Sequence, residues 1–117
     1  MLKIFITIVL LFLSPLVNSA EGDIYFCEMT EVVAVENHKL IQYNSQKFKF
    51  QRTSDKLIFG SEENTFQDYT VSISYSQGEL FFGGDNYNRL SFSEGNFYYS
   101  RADIDEASII AAKCSIF

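Results

Sequence analysis

Short runs of alternating apolar and polar residues occur along the chain, and turn-forming residues bound each run. The clearest run is 47–52, where Phe48 and Phe50 alternate with charged or polar residues. Alternation with a period of two predicts a half-buried β-strand. We therefore expect both phenylalanines to face a core and their neighbours to face solvent.

Similar runs recur at intervals of about ten residues, and no segment after residue 20 has helical periodicity. This spacing predicts an all-β domain, a small antiparallel barrel or sandwich of about eight strands. The weak run 40–43 is counted with a neighbouring strand. The other predicted strands are 24–35, 56–59, 69–75, 79–82, 87–93, 97–101 and 108–117.

For two of these runs, the sequence also predicts on which side of the strand the residues lie. In 24–35 both sides are apolar, and Glu28 and Glu31 fall on opposite parities, which indicates a bulge or bend between them. In 69–75 simple alternation places Val71, Ile73 and Tyr75 on one side and Thr70, Ser72 and Ser74 on the other.

The first residues differ from the rest of the chain. Lys3 precedes an apolar run over 4–13, Pro15 breaks any helix, and small residues follow. This arrangement is typical of a secretory signal peptide, and the run is too short to span a membrane. We expect 1–19 to be the signal peptide, with cleavage after Ala20 as the alternative, and 20–117 to form a single domain. The domain would be periplasmic or secreted, without stable membrane insertion.

The chain has two cysteines, Cys27 and Cys114. In an exported chain, two cysteines favour one intramolecular disulfide. If an even number of strands closes on itself, the first and last strands lie side by side and antiparallel. The two cysteines would then be neighbours, and Cys114 would face inward together with the other even-numbered residues of the last strand.

The formal net charge is −6, and loss of the leader removes Lys3 and no acid. An acidic domain without clustered Lys or Arg is a poor candidate for binding nucleic acid. Anionic membranes would also repel it. The charge is compatible with basic partners, although a solvated acidic surface also serves solubility.

Residues that could carry chemistry are sparse. His38 is the single histidine and lies in a predicted turn. The run from Asp103 to Glu106 is acidic but lacks the regular ligand positions of a calcium loop, and other acids are scattered. We therefore expect no catalytic residue, no cofactor, no metal site and no enzymatic activity.

Tyrosine is the most informative residue for function. The chain has seven tyrosines, and a small core cannot satisfy every hydroxyl. Tyr98 should face out if Phe97 and Tyr99 face in, and Tyr87 lies near a loop. Exposed tyrosines beside Ser and Asn are common on recognition surfaces, and they also suit the solvent face of a strand.

The sequence Tyr25-Phe26-Cys27 near the start and Ala112-Lys113-Cys114 near the end resembles small uncharacterised exported proteins of marine bacteria. The same layout, with a Tyr-x-Cys start and a terminal cysteine, resembles the membrane-bound inhibitors of C-type lysozyme, which are small eight-stranded barrels. The chain lacks that family's Ser-Gly inhibitory loop, its central Trp and its lipid-attachment cysteine. No inhibitory residue is therefore transferred.

These observations predict a non-enzymatic exported β-domain that acts by binding a protein partner. One alternative is a role like that of the lysozyme inhibitors, since an acidic inhibitor suits a basic enzyme. Another is a carrier of a small apolar ligand, which would need a cavity inside the barrel. The sequence leaves the identity of the partner and the oligomeric state open.

Overall fold

The computed structural model describes residues 22–116, and the predicted signal peptide therefore lies outside the described residues. The fold is all-β, with nine strands in chain order. They are β1 Ile24–Glu36, β2 Lys39–Gln42, β3 Lys47–Arg52, β4 Lys56–Phe59, β5 Thr70–Gln77, β6 Leu80–Gly84, β7 Asn88–Ser93, β8 Asn96–Ala102 and β9 Glu106–Ile116.

Eight of the strands form a closed antiparallel barrel, and β2 is one extra strand. Each strand from β3 to β8 pairs with the strand that follows it, and β1 closes the barrel by pairing with both β3 and β9. β2 pairs with the same edge of β1 as β3, but farther along β1. The prediction of an all-β barrel of about eight strands is confirmed, but 40–43, which is counted with a neighbouring strand in the sequence analysis, belongs to a separate strand, β2.

The disulfide joins the two strands that close the barrel. Cys27 of β1 and Cys114 of β9 are direct cross-strand partners. They are bonded, with Cα atoms 4.0 Å apart and a sequence separation of 87 residues. The Cys114 N–H donates to Gly95 on the far side of β9. The cysteines thus form a non-hydrogen-bonded pair, in which facing side chains approach most closely.

Two bulges set which residues face the core. In β1 the register shifts between Met29 and Glu31, so that Thr30 is the extra residue and its hydroxyl donates to the Ala111 carbonyl at 3.2 Å. This confirms the bulge predicted for β1. As a result Met29 and Ala34 are both buried, although they have opposite parity.

The second bulge was not predicted. In β5 the register shifts between Ile73 and Tyr75, and the Ser74 hydroxyl donates to the Phe82 carbonyl at 3.2 Å. Tyr75 therefore points outward and is 49 % exposed. The alternation in the sequence groups Tyr75 with Val71 and Ile73, and the extra residue of the bulge separates Tyr75 from them.

Aromatic rings fill the barrel interior. Phe81 and Phe92 stack with centroids 4.9 Å apart, and Phe50 packs on Tyr25 at 5.0 Å. The fully buried rings also include Phe97. Such rings bury much apolar area per residue, which a small domain needs for stability. Phe48 and Phe50 face inward, as predicted.

Arg52 closes one end of the barrel. This residue is only 6 % exposed. Its Nη1 donates to the Gly78 carbonyl at 2.8 Å, and its guanidinium lies 4.9 Å from the centre of the Phe81 ring. The hydrogen bond and the aromatic ring partly replace the water that the cation loses on burial.

The long polar segment 60–69 folds over the barrel and inserts Phe66. Phe66 is 2 % exposed and lies 4.9 Å from the rings of both Phe48 and Phe59. The Gln46 side chain accepts hydrogen bonds from the N–H and the hydroxyl of Thr65, at 2.9 and 2.8 Å. Phe66 is therefore part of the core, although the segment that carries it is polar and mostly exposed.

Candidate functional site

The outer surface of the barrel carries an apolar groove, which we call the outer groove. Phe82 of β6, Tyr98 of β8 and Ile109 of β9 form its walls, and they are 44, 53 and 54 % exposed. Its floor consists of small residues, among them Ser91 and Ser100. The volume of the groove is about 640 Å³.

Strand register explains this arrangement. Phe82 and Tyr98 are both cross-strand partners of Ser91, so the two rings stand on either side of one small side chain. Ile109 is the partner of Ser100. The β5 bulge extends the aromatic wall, because it brings Tyr75 beside Phe82 with ring centroids 6.0 Å apart.

The two tyrosines proposed for recognition have different positions. Tyr98 lines the outer groove, and its neighbours Phe97 and Tyr99 are buried, which is the facing expected from the sequence. Tyr87 is 58 % exposed and precedes β7, and its carbonyl accepts a hydrogen bond from the N–H of Ala102. Tyr87 thus lies four ladder positions from Tyr98 and is not among the described residues that line the groove.

A second concave site, the mouth cleft, lies at the end of the barrel opposite Arg52. At this end β1 extends past its pairing with β3, β9 continues along one edge of the extended part, and β2 pairs with the other edge. The volume of the cleft is about 550 Å³. Its described lining includes Val32 and Ile110 at the bottom and Glu36 and Glu106 at the rim.

The strand register brings Glu36 and Glu106 together, although they are distant in the sequence. They are direct cross-strand partners on the inner face, and both are half-buried. The Tyr43 hydroxyl donates to the Glu36 carboxylate. This hydrogen bond to a carboxylate raises the pKa of Tyr43.

A polar network lies below the mouth cleft. The Tyr99 hydroxyl is bonded to the Asn88 side chain, whose Nδ2 donates to Asp85 at 2.8 Å. These bonds from Asn88, together with the N–H of Tyr87, hold the pKa of Asp85 below its usual value. Burial raises the pKa of Tyr69 nearby to about 12. Burial also raises the pKa of Tyr99, so both hydroxyl groups are neutral at physiological pH.

The remaining candidates from the sequence lie in turns. His38 is exposed between β1 and β2, with a φ of 66°. Asp103 uses one carboxylate oxygen to accept the N–H groups of Asp105 and Glu106, at 2.8 and 3.0 Å. Over residues 22–116, no group of three or more His, Cys, Asp or Glu side chains is arranged to hold a metal ion.

Sequence reasoning missed the mouth cleft and found only Tyr98 of the outer groove. The alternation of β8 identified Tyr98. The positions of Phe82 and Ile109 in the groove walls, however, depend on how the neighbouring strands are aligned with β8. The partnership of Glu36 with Glu106 depends on register in the same way. A prediction that β1 pairs with β9 beyond the disulfide would have brought the two carboxylates together.

The fold thus defines the class of the protein as a closed antiparallel barrel with an aromatic core. No helix within residues 22–116 is long and apolar enough to cross a membrane. Comparison with protein-family models, with curated proteins and with solved structures found no match to the chain.

Proposed function

We propose that the protein is a non-enzymatic exported β-domain that binds a protein partner through the outer groove. The observation that carries this proposal is the exposure of Phe82, Tyr98 and Ile109 around a floor of small residues. Small soluble domains rarely leave such residues grouped on their surface unless the group binds something. Aromatic residues are also enriched at the centres of protein interfaces.

The chemistry of the groove favours an apolar protein segment as its occupant. Arg89 is the one charged residue among the described residues that line the groove, and its Nη1 donates to the Asp85 carbonyl at 2.7 Å. The serine hydroxyls on the floor can bond to the backbone of a bound chain. Apolar side chains of the partner would then pack between the walls.

A photo-crosslinking residue at position 98 tests this proposal in the cells that make the protein. We expect a crosslinked protein from position 98 and none from position 58, because Ile58 is 40 % exposed but lies on β4, away from the groove. Ile109→Ser should lower the affinity of the captured partner by about tenfold, as expected for an interface anchor. Ile58→Ser is the matched control and should leave the affinity unchanged.

Equal capture from both positions, or no effect of Ile109→Ser, would refute recognition by the outer groove. The same proteins decide the lysozyme alternative. Inhibition of a C-type lysozyme at molar excess would identify lysozyme as the partner. Unchanged lysozyme activity would end that alternative.

Carriage of a small apolar ligand is a second candidate function. Aromatic rings occupy the barrel interior, so a ligand site deep inside the barrel would have to displace them. The observation that favours carriage is the mouth cleft, whose volume of about 550 Å³ lies in the range of small-molecule sites. Binding of n-decanol, measured by calorimetry below its solubility limit, tests this candidate.

A further inference from the structure

The mouth cleft is amphipathic in layers that follow the strand register. Val32 and Ile110 are cross-strand partners and form an apolar bottom. Ala34 and Ser108 are partners in the next layer, and their small side chains leave the space that forms the cleft. Glu36 and Glu106 form the outermost layer. A ligand that fits these layers has an apolar tail and a polar head.

The negative charge at the rim of the cleft favours a ligand whose polar head group is cationic. Facing carboxylates repel each other across a strand pair, and neither Glu36 nor Glu106 takes part in an ion pair among the described residues. The Tyr43 hydroxyl is the one side-chain hydrogen-bond donor that the described residues supply to Glu36. A cation between the two carboxylates would relieve their repulsion.

Two cations of the chain lie near this rim without neutralising it. Arg101 lines the cleft, but its Nη2 is 3.5 Å from the Asp103 carboxylate, which offsets its charge. Lys39 is the cross-strand partner of Glu36 and is exposed, and it forms no ion pair within residues 22–116. The rim therefore keeps an excess of negative charge.

We infer that the mouth cleft binds a small cationic amphiphile, with its ammonium group between Glu36 and Glu106 and its alkyl part against Val32 and Ile110. This inference rests on the second candidate function, ligand carriage. It adds the chemical class of the ligand and the two residues that select it.

Three probes with the same alkyl chain separate the inference from carriage itself. Calorimetry of the folded, disulfide-bonded protein would compare n-decylammonium and n-decanoate, below their critical micellar concentrations, with n-decanol below its solubility limit. We expect n-decylammonium to bind about tenfold more tightly than n-decanol, equivalent to one charge-assisted hydrogen bond. n-Decanoate should bind most weakly.

Variants assign the effect to the cleft. Glu36→Gln with Glu106→Gln should remove the preference for the amine and keep n-decanol binding. Glu94→Gln, on an exposed turn at the opposite end, is the matched control and should keep the preference. Ser108→Leu should fill the cleft and weaken all three probes, with circular dichroism confirming the fold. A milder filling variant, Ser108→Val, serves if the leucine variant does not fold.

Each result of these measurements either supports or overturns the inference. A preference for the amine that is lost in the double Gln variant supports the inference. Equal binding of the amine and the alcohol, or a preference that survives the double substitution, overturns the inference and leaves carriage standing. Absence of binding by all three probes overturns both.

Discussion

Reduction of the Cys27–Cys114 disulfide is expected to lower the free energy of unfolding by about 4–5 kcal/mol. The bond closes a loop with a sequence separation of 87 residues. Loop-closure entropy for a loop of that length is about 15 cal/mol/K, or about 4.6 kcal/mol at 25 °C. Small domains have total stabilities of about 5–15 kcal/mol, so the reduced protein should be close to its folding limit.

Urea unfolding with and without a reductant measures this difference on the same polypeptide. The midpoint should fall on reduction, and the dependence of the free energy on urea should become steeper, because an unbridged unfolded chain exposes more surface. Mass spectrometry should show a gain of two hydrogen atoms on reduction. The Cys27→Ala/Cys114→Ala variant should unfold close to the reduced protein, with a small additional loss because Cys27 is buried.

The reasoning fails if the oxidised and reduced proteins differ by less than about 1 kcal/mol. That result would mean that the unfolded chain already keeps β1 and β9 close, or that the bond strains the folded barrel. A change in midpoint without a change in urea dependence would point to the folded state. The loop-closure argument places the effect in the unfolded chain.

Three further predictions concern the core and the network below the mouth cleft. Phe66→Ala should cost about 3–5 kcal/mol in urea unfolding, because it removes a buried ring; a loss below 1 kcal/mol would show that segment 60–69 is not anchored. Asn88→Ala should cost about 1–3 kcal/mol, because it removes the acceptor to which the buried Tyr99 hydroxyl donates. In a Tyr99→Phe background, Asn88→Ala should lower the free energy of unfolding by a smaller amount. Equal losses in the two backgrounds would contradict the hydrogen bond between Tyr99 and Asn88. Because the folded protein lowers the pKa of Asp85 below its ordinary value of 3.8, the contribution of Asp85 to stability is present above that pH and is lost as the pH falls through the folded pKa. Unfolding measured from pH 5 downward should show a smaller acid-dependent loss in Asp85→Asn, and an unchanged loss would remove Asp85 as its source.

Local alternation was enough to predict most of the strands and which of their side chains face the core. Phe48 and Phe50, or Phe97 against Tyr98, alternate without interruption, and their burial follows from the period of two alone. The bulge at Thr30 was also predictable, because apolar residues change parity on either side of it. The pairing of the two cysteines followed from closure of an even-stranded barrel.

Other features depend on contacts that the sequence does not encode locally. Ser74 bulges without a change of residue pattern, and the exposure of Tyr75 follows from register with β6. Segment 60–69 looks like an ordinary polar loop, yet Phe66 fills a gap in the core. The burial of Arg52 requires an acceptor from Gly78, a residue on another hairpin.

The late position of β9 also affects when the barrel can form. The edge of β1 that pairs with Glu106–Ile116 has no partner until that strand has been synthesised, some eighty residues later. Pairs so distant in the chain form slowly, and the barrel should stay unclosed until synthesis of the polypeptide is nearly complete. Such a delay suits a chain that we propose is exported, because an unclosed polypeptide can pass through a narrow channel and acquire its disulfide on the other side.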